Sequence, residues 1–185
     1  KSVGAATSPR HFIYTSGLWV LGETGDGPVD EGGSTDDPVA LVGWRPAHER
    51  IVLDAAGGTL TTSVIRPGMV YGGSGGLLAS FFESAAAGEP LTHIGDGQNH
   101  ACFIHREDNA QLYAQVIDQR AQGIFHGIDD SPRTVADVAS AVANAAGAGS
   151  SVEPVAVEVA RAEGGLFADA MCTNQVAVAR RSREL

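Results

Sequence analysis

His11-Phe12-Ile13-Tyr14-Thr15-Ser16-Gly17 and Val64-Ile65-Arg66-Pro67-Gly68-Met69-Val70-Tyr71-Gly72 decide the reading of this chain. Each is a short apolar run that stops at residues able to line a site. Such a run, bounded by turn residues, reads as a strand. A helical stretch containing His48-Glu49-Arg50-Ile51-Val52-Leu53 lies between them. Proline is tolerated in a first helical turn but costs about 3 kcal/mol in an interior. Pro46 therefore places the helix start near Arg45 and its span at roughly 46–56, with 41–44 as loop or a separate turn. Gly57-Gly58 stops it.

Working outward, 22–38 is rich in Gly, Asp, Thr and Pro and reads as loop. Leu60 to Ile65 alternates Thr and Ser with apolar residues, as a strand does. Gly72-Gly73-Ser74-Gly75-Gly76 is a flexible loop before an apolar helix over 77–87, which Gly88-Glu89-Pro90 ends. Strands follow at 91–94, 103–104 and 123–128, with an amphipathic helix over 106–120. Thr134 is an N-cap for a helix ending near Ala146, and Asp137 gives its first turn the preferred acid. Residues 152–157 read as a strand, and 173–185 as a helix ending in basic residues. Residues 1–6 read as the end of a helix. Strands alternating with helices imply an α/β fold with a mostly parallel sheet and helices on both faces.

The chain has 185 residues, 43% hydrophobic and 18% charged, which fits one folded domain with a real core. Its formal net charge of -10 argues against nucleic acid as a partner. No apolar run approaches the roughly 20 residues that span a bilayer, and the first ten residues lack the apolar core of a signal peptide. Cys102 and Cys172 form no metal spacing; two thiols far apart in sequence suggest a reducing compartment, and one disulfide stays open. A cytoplasmic protein is the plain expectation.

The two motifs, with Gly88-Glu89-Pro90, Gly95-Asp96-Gly97 and Phe103-Ile104-His105-Arg106-Glu107-Asp108-Asn109-Ala110, resemble the NAD-dependent epimerase/dehydratase family, the extended short-chain dehydrogenase/reductases. The ordered set spans about 10–128. The resemblance implies an NAD(P)-binding Rossmann-like fold with a small C-terminal subdomain on the substrate side. It divides the chain into 1–72, the rear half of the Rossmann core, and 73–185, a substrate-side region interleaved with the last core strands. A complete member would carry about a hundred further residues at the front, including its Gly-rich dinucleotide turn. The expectation is thus a partial domain lacking that nucleotide-binding half.

In the family a Ser or Thr, a Tyr and a Lys four residues after it carry the chemistry. Glu49 matches the family's Glu four residues past the Lys. Counting back places Arg45 at the Lys position and Leu41 at the Tyr position; counting along the first strand places Gly17 at the Ser/Thr position. Leucine transfers no proton, and arginine is too basic to shuttle one. No catalytic residue is then intact, and the chain most resembles the atypical members. Arg45 keeps donors fit for a ribose or phosphate. By resemblance Ser16, Gly17, Arg45, Pro67 and Gly68 touch NAD or NADP, and Trp44, Met69, Tyr71 and His100 lie on the substrate side. Met69 replaces a frequent Asn and suits a small or apolar ligand better than a sugar nucleotide.

Other candidates carry less. His93, His100 and His105 lie near Asp96 and Asp108 without metal-ligand spacing, so no metal is expected. His105 reads as a structural residue at a strand–helix junction. Ser16 lacks the Gly-x-Ser-x-Gly context of a nucleophile. The Gly72–Gly76 loop has neither dinucleotide nor P-loop spacing. Trp19 can stack on a ligand ring, and Tyr14 or Tyr71 can replace the lost hydroxyl. Three readings follow: an NAD(P)-dependent epimerase, dehydratase or reductase acting on a small molecule, with a homodimer expected by resemblance; a catalytically inactive dinucleotide- or ligand-binding module, acting as sensor or assembly partner; and a remnant with apolar surface left exposed.

Overall fold

A central strand buried on both faces organises the structure, a computed structural model that describes residues 8–73, 75–129, 131–146 and 151–185. The chain runs β1 (Arg10–Thr15), α1 (Arg45–Asp54), β2 (Leu60–Pro67), β3 (Met69–Tyr71), α2 (Ala79–Ala87), β4 (Leu91–Ile94) and β5 (His100–Ala101). It continues through β6 (Phe103–His105), α3 (Arg106–Asp118), β7 (Gly123–Gly127), β8 (Arg133–Thr134), α4 (Val135–Ala145), β9 (Val152–Val155), α5 (Val157–Gly164) and α6 (Leu166–Cys172). Single 3-10 turns occupy Leu18–Leu21, Ala40–Val42 and Ser182–Glu184.

The sheet has the order β1-β2-β7, all parallel, with Arg10 opposite Leu60 and Ser63 opposite Gly123. Six of the eight β2 residues are buried, as a central parallel strand requires. Two further parallel pairs, β3-β6 and β4-β9, and the antiparallel pair β5-β8 build the other half. α3 covers the sheet with Leu112 and Val116 packed on Ile65 and Phe125. Each such buried side chain contributes about 1.5–3 kcal/mol. α2 and α4 cover β4 through Ala85, Val142 and Ala143 against Leu91. Among the described residues β1 has a neighbour on one side only. Phe12 on it is 44% exposed, and Ile51 on α1 is exposed as well.

The helix start expected from Pro46 is found, with α1 opening at Arg45. Thr134 caps α4 as its sequence implies, Asp137 N donating to its Oγ1 over 3.1 Å. His105 stands at the β6–α3 junction and its Nδ1 accepts from Glu107 N. No disulfide joins Cys102 and Cys172. Three expectations need correction. α2 begins at Ala79, later than its apolar run. The strand expected over 152–157 ends at Val155, because Val157 opens α5, and α5 and α6 together fill a stretch for which the sequence predicts no helix. The tail 173–185 is not a helix. Gln175, Ala177 and Ala179 are buried while their neighbours are less so, the period of an extended chain. Val29 N donates to Val176 O, and Val178 N to Val29 O, each over 3.0 Å. The basic residues pin this strap instead of capping a helix: Arg180 pairs with Asp30 at 3.0 Å, and the Arg181 guanidinium lies 4.9 Å from the Phe125 ring centre. The helix end expected over 1–6 lies outside the described residues.

Candidate functional site

β1 and β2 run parallel and end side by side, and ligand clefts in α/β sheets open at such carboxyl ends. A cavity of about 370 Å³ lies here. Its floor is Ser16 and Gly17 from the end of β1, with Pro67 and Gly68 from the end of β2. Arg45 at the first turn of α1 forms one side. His100 and Cys102 form another, with Thr173 and Gln175 from the strap beside them.

The backbone fixes this floor. Ser16 N donates to Ile65 O over 2.7 Å, continuing the β1–β2 ladder one residue past the strand. Gly68 N donates to Gly127 O and Met69 N to Cys102 O, at 2.9 and 2.8 Å. A Cβ on Gly68 would sit 2.5 Å from the Cys102 carbonyl oxygen. The missing side chain thus lets β3 leave β2 at close quarters. A Cβ on Gly17 would sit 2.7 Å from Arg45 Nη1. The guanidinium therefore occupies the space that a side chain at 17 would need, so these two changed positions fit each other.

Polar atoms at the floor are left open. Ser16 is 5% exposed, and its hydroxyl is buried without a partner, as is Arg45 Nε. Behind them Arg66 and Glu49 are paired, with Arg66 Nη1 left without a partner. Arg66 Nε donates to Glu49 Oε1 over 3.0 Å and Nη2 to Oε2 over 2.6 Å, with both residues almost wholly buried. This bidentate pair ties α1 to β2. The Tyr14 phenol is buried without a partner; burial pushes its pKa up, the Arg45 charge offsets part of this, and Glu49 adds to the rise.

Seven of the sequence candidates meet at this cavity: Ser16, Gly17, Arg45, Pro67, Gly68, Met69 and His100. Trp19 lines it too, where its ring can stack on a ligand. Trp44, Tyr71 and Leu41 do not. Trp44 is 52% exposed and stacks against His48, with the Arg45 guanidinium 5.4 Å from its ring. Tyr71 meets His105 edge to face and packs by Phe103 and Val135. Leu41 packs with Val39, Val42 and Ala170. Sequence reasoning misses Cys102, Thr173 and Gln175. Reading the tail as a helix hides the last two; the β-branched Val176 and Val178, which favour an extended chain, are the available signal. Among the described residues no three His, Cys, Asp or Glu side chains cluster as a metal site, and no helix is long and apolar enough to cross a membrane.

No protein-family model matches the chain. Adenylate kinase 7 of Macaca fascicularis is 34% identical over 91 residues, 48% of this chain and 17% of that protein. The sequence has no Gly-Lys-Ser/Thr phosphate loop, and its one lysine is Lys1. Human epimerase family protein SDR39U1, solved with NADPH, superposes with TM-score 0.85 at 21% identity, over 98% of this chain and 62% of that one. UDP-glucose 4-epimerase of Thermotoga maritima, solved with UDP-glucose, gives 0.76 at 19%, covering 94% and 56%. The dTDP-glucose 4,6-dehydratase of Bacillus anthracis, solved with NAD, gives 0.76 at 17%, covering 93% and 54%. The chain thus spans little more than half the length of these structures. Its fold is the Rossmann-like fold of the extended and atypical short-chain dehydrogenase/reductases.

Proposed function

We propose that the protein binds NAD or NADP across the ends of β1 and β2 and works on a small molecule as an atypical epimerase, dehydratase or reductase. The observation that carries this is the presence of Ser16 Oγ and Arg45 Nε together at this site. Both are buried polar atoms without partners, on residues that line one cavity at the carboxyl ends of parallel strands. Buried polar groups left open in a native protein call for a ligand or water. In this reading Ser16 and Gly17 lie under the nicotinamide and Pro67 and Gly68 border it. Arg45 holds the ribose or a phosphate through its fixed fork of donors. The fit is supported by the bare floor at Gly17, which leaves that fork room. Two copies pairing through helices, in the cytoplasm, belong to the same reading by resemblance.

The dinucleotide supplies or accepts a hydride when bound. The protein must handle the accompanying proton, and neither Leu41 nor Arg45 can do so. Among the described lining residues His100 is suited to it, since an imidazole carries both a donor and an acceptor nitrogen. Asn174 Oδ1 lies 2.7 Å from His100 N and 3.1 Å from its Nδ1. With Nδ1–H donating to that oxygen, Nε2 is the nitrogen that gives or takes the substrate's proton. Asn174 acts as a positioning residue. Dinucleotide binding by calorimetry, followed by a carbonyl and alcohol panel, tests the reading. His100→Gln should keep NADPH affinity within about twofold and lower turnover roughly 10²–10⁴-fold. Absence of binding by both dinucleotides sinks it.

A second reading is a binding module without chemistry. Leu41, packed away from the cavity, favours it. It expects dinucleotide binding with no turnover of any substrate in the panel.

A further inference from the structure

A second cavity of about 210 Å³ lies beside the first. Met69 and Leu77 line both. Trp19 of the first and Phe167 of the second meet edge to face with ring centres 6.3 Å apart. The two spaces therefore share a wall of apolar side chains. Phe81 from α2, Phe103 from β6, Val138 from α4 and Met171 from α6 complete the chamber. Its polar lining residues are Ser80, Thr92 and His93; His93 Nδ1 is buried without a partner. No arginine or lysine stands among its described lining residues, and the larger cavity has Arg45 alone.

We infer that this chamber seats the apolar part of the substrate, and that the substrate is an uncharged aromatic or branched aliphatic carbonyl or alcohol compound. The inference rests on the reading of the larger cavity as the dinucleotide site. Charge is the first reason. A sugar nucleotide brings a diphosphate, and buried anions need paired cations; in that reading the one guanidinium among the described lining residues of the two cavities serves the cofactor. Hydrogen-bonding capacity is the second. The polar side chains of its lining are few: Thr92, His93 and Ser80, whose hydroxyl already donates to Leu77 O over 2.9 Å; they satisfy one or two oxygens, whereas each sugar hydroxyl left unpaired would carry a desolvation cost. Size is the third. An apolar cavity of about 150 Å³ holds benzene, so this one takes a ring with a short side chain. Methionine on two walls lets the chamber adapt to shape.

The chain's two methionines, Met69 and Met171, both line this chamber. Met171 lines this chamber and not the larger cavity, while Met69 borders both, so in methyl-¹³C methionine labelling the Met171 resonance separates binding in the chamber from binding in the larger cavity. The labelled protein is titrated with acetophenone and, separately, with UDP-glucose, and NADPH affinity is measured on the same samples. Both methyl resonances should move saturably with acetophenone and stay still with UDP-glucose. Val138→Phe and Ser80→Trp, which each put a larger side chain on the chamber's lining, the second from an exposed helix position, should each weaken acetophenone at least tenfold. No saturable shift with acetophenone, saturable shifts with UDP-glucose, or shifts that both substitutions leave unchanged would overturn the inference. Loss of NADPH binding with the acetophenone response intact would sink the dinucleotide reading and leave the chamber's apolar selectivity standing.

Discussion

Arg66 and Arg45 lie at different depths of the same helix–strand pair and are treated in opposite ways. Arg66, from β2, is closed by Glu49 in a bidentate pair and shut away from water. Arg45, from the start of α1, has no carboxylate partner among the described residues and rests beside the bare Cα of Gly17. A wrapped and neutralised charge holds the architecture together. Arg45 instead keeps its charge at the cavity without a carboxylate partner, as the proposed cofactor contact requires.

Breaking the closed pair should have the largest effect. Glu49→Gln leaves the Arg66 charge buried and uncompensated, with an expected loss of about 3–5 kcal/mol. Urea unfolding measures it, and a Glu49→Leu/Arg66→Met double replacement should recover most of the loss. A single replacement as stable as the native protein would mean that this pair is not what joins α1 to β2. The open arginine should behave conversely. Arg45→Met should leave the unfolding midpoint nearly unchanged and weaken NADPH binding by about 1.5–3 kcal/mol, the worth of a hydrogen bond to a charged group. Calorimetry on the two variants then separates the roles directly.

His126 sharpens the comparison with a smaller effect. It sits on β7 opposite Arg66 and is fully buried. Burial pushes its pKa below the ordinary 6.5; Glu31 and the Val178 carbonyl offset part of this, and Arg66 deepens it. The native state therefore favours the neutral ring. Its contribution is complete above pH 6.5 and is lost as pH falls below that value toward the lowered native pKa. Thermal unfolding should show the midpoint dropping from about pH 7.5 to about pH 5.5, with a shallower drop for His126→Gln. Equal slopes would place the pH sensitivity elsewhere, for instance at His11, whose pKa burial also lowers.

Part of this contrast is legible in the sequence. Pro46 locates the start of α1, and with it Arg45; the strand-end motifs locate Ser16, Gly17, Pro67 and Gly68. Local rules suffice there because proline geometry and strand ends act over a few residues. Trp44 and Tyr71, which the resemblance puts on the substrate side, do not line the larger cavity; their side-chain directions depend on what packs around them, His48 and His105 respectively. Local rules misread the strap, because its alanines and arginines favour helix locally. Its conformation is decided by partners far away in sequence, such as the pairing of Val29 with Ala177. Propensity yields to tertiary pairing in such segments.

The strap also sets an order of assembly. Gln175 Nε2 donates to the carbonyls of Leu18 and Gly22, and Asn174 N donates to the Glu23 carboxylate, across 151 to 157 positions of chain. Contacts this remote close late, because their loop entropy must be met before they return any stability. Thr173 and Gln175, together with the neighbour that orients His100, belong to that last-closing segment. The sheet with its Arg66–Glu49 pair can thus form as a scaffold first, while the wall of the cleft is completed only when the chain's final stretch has come home.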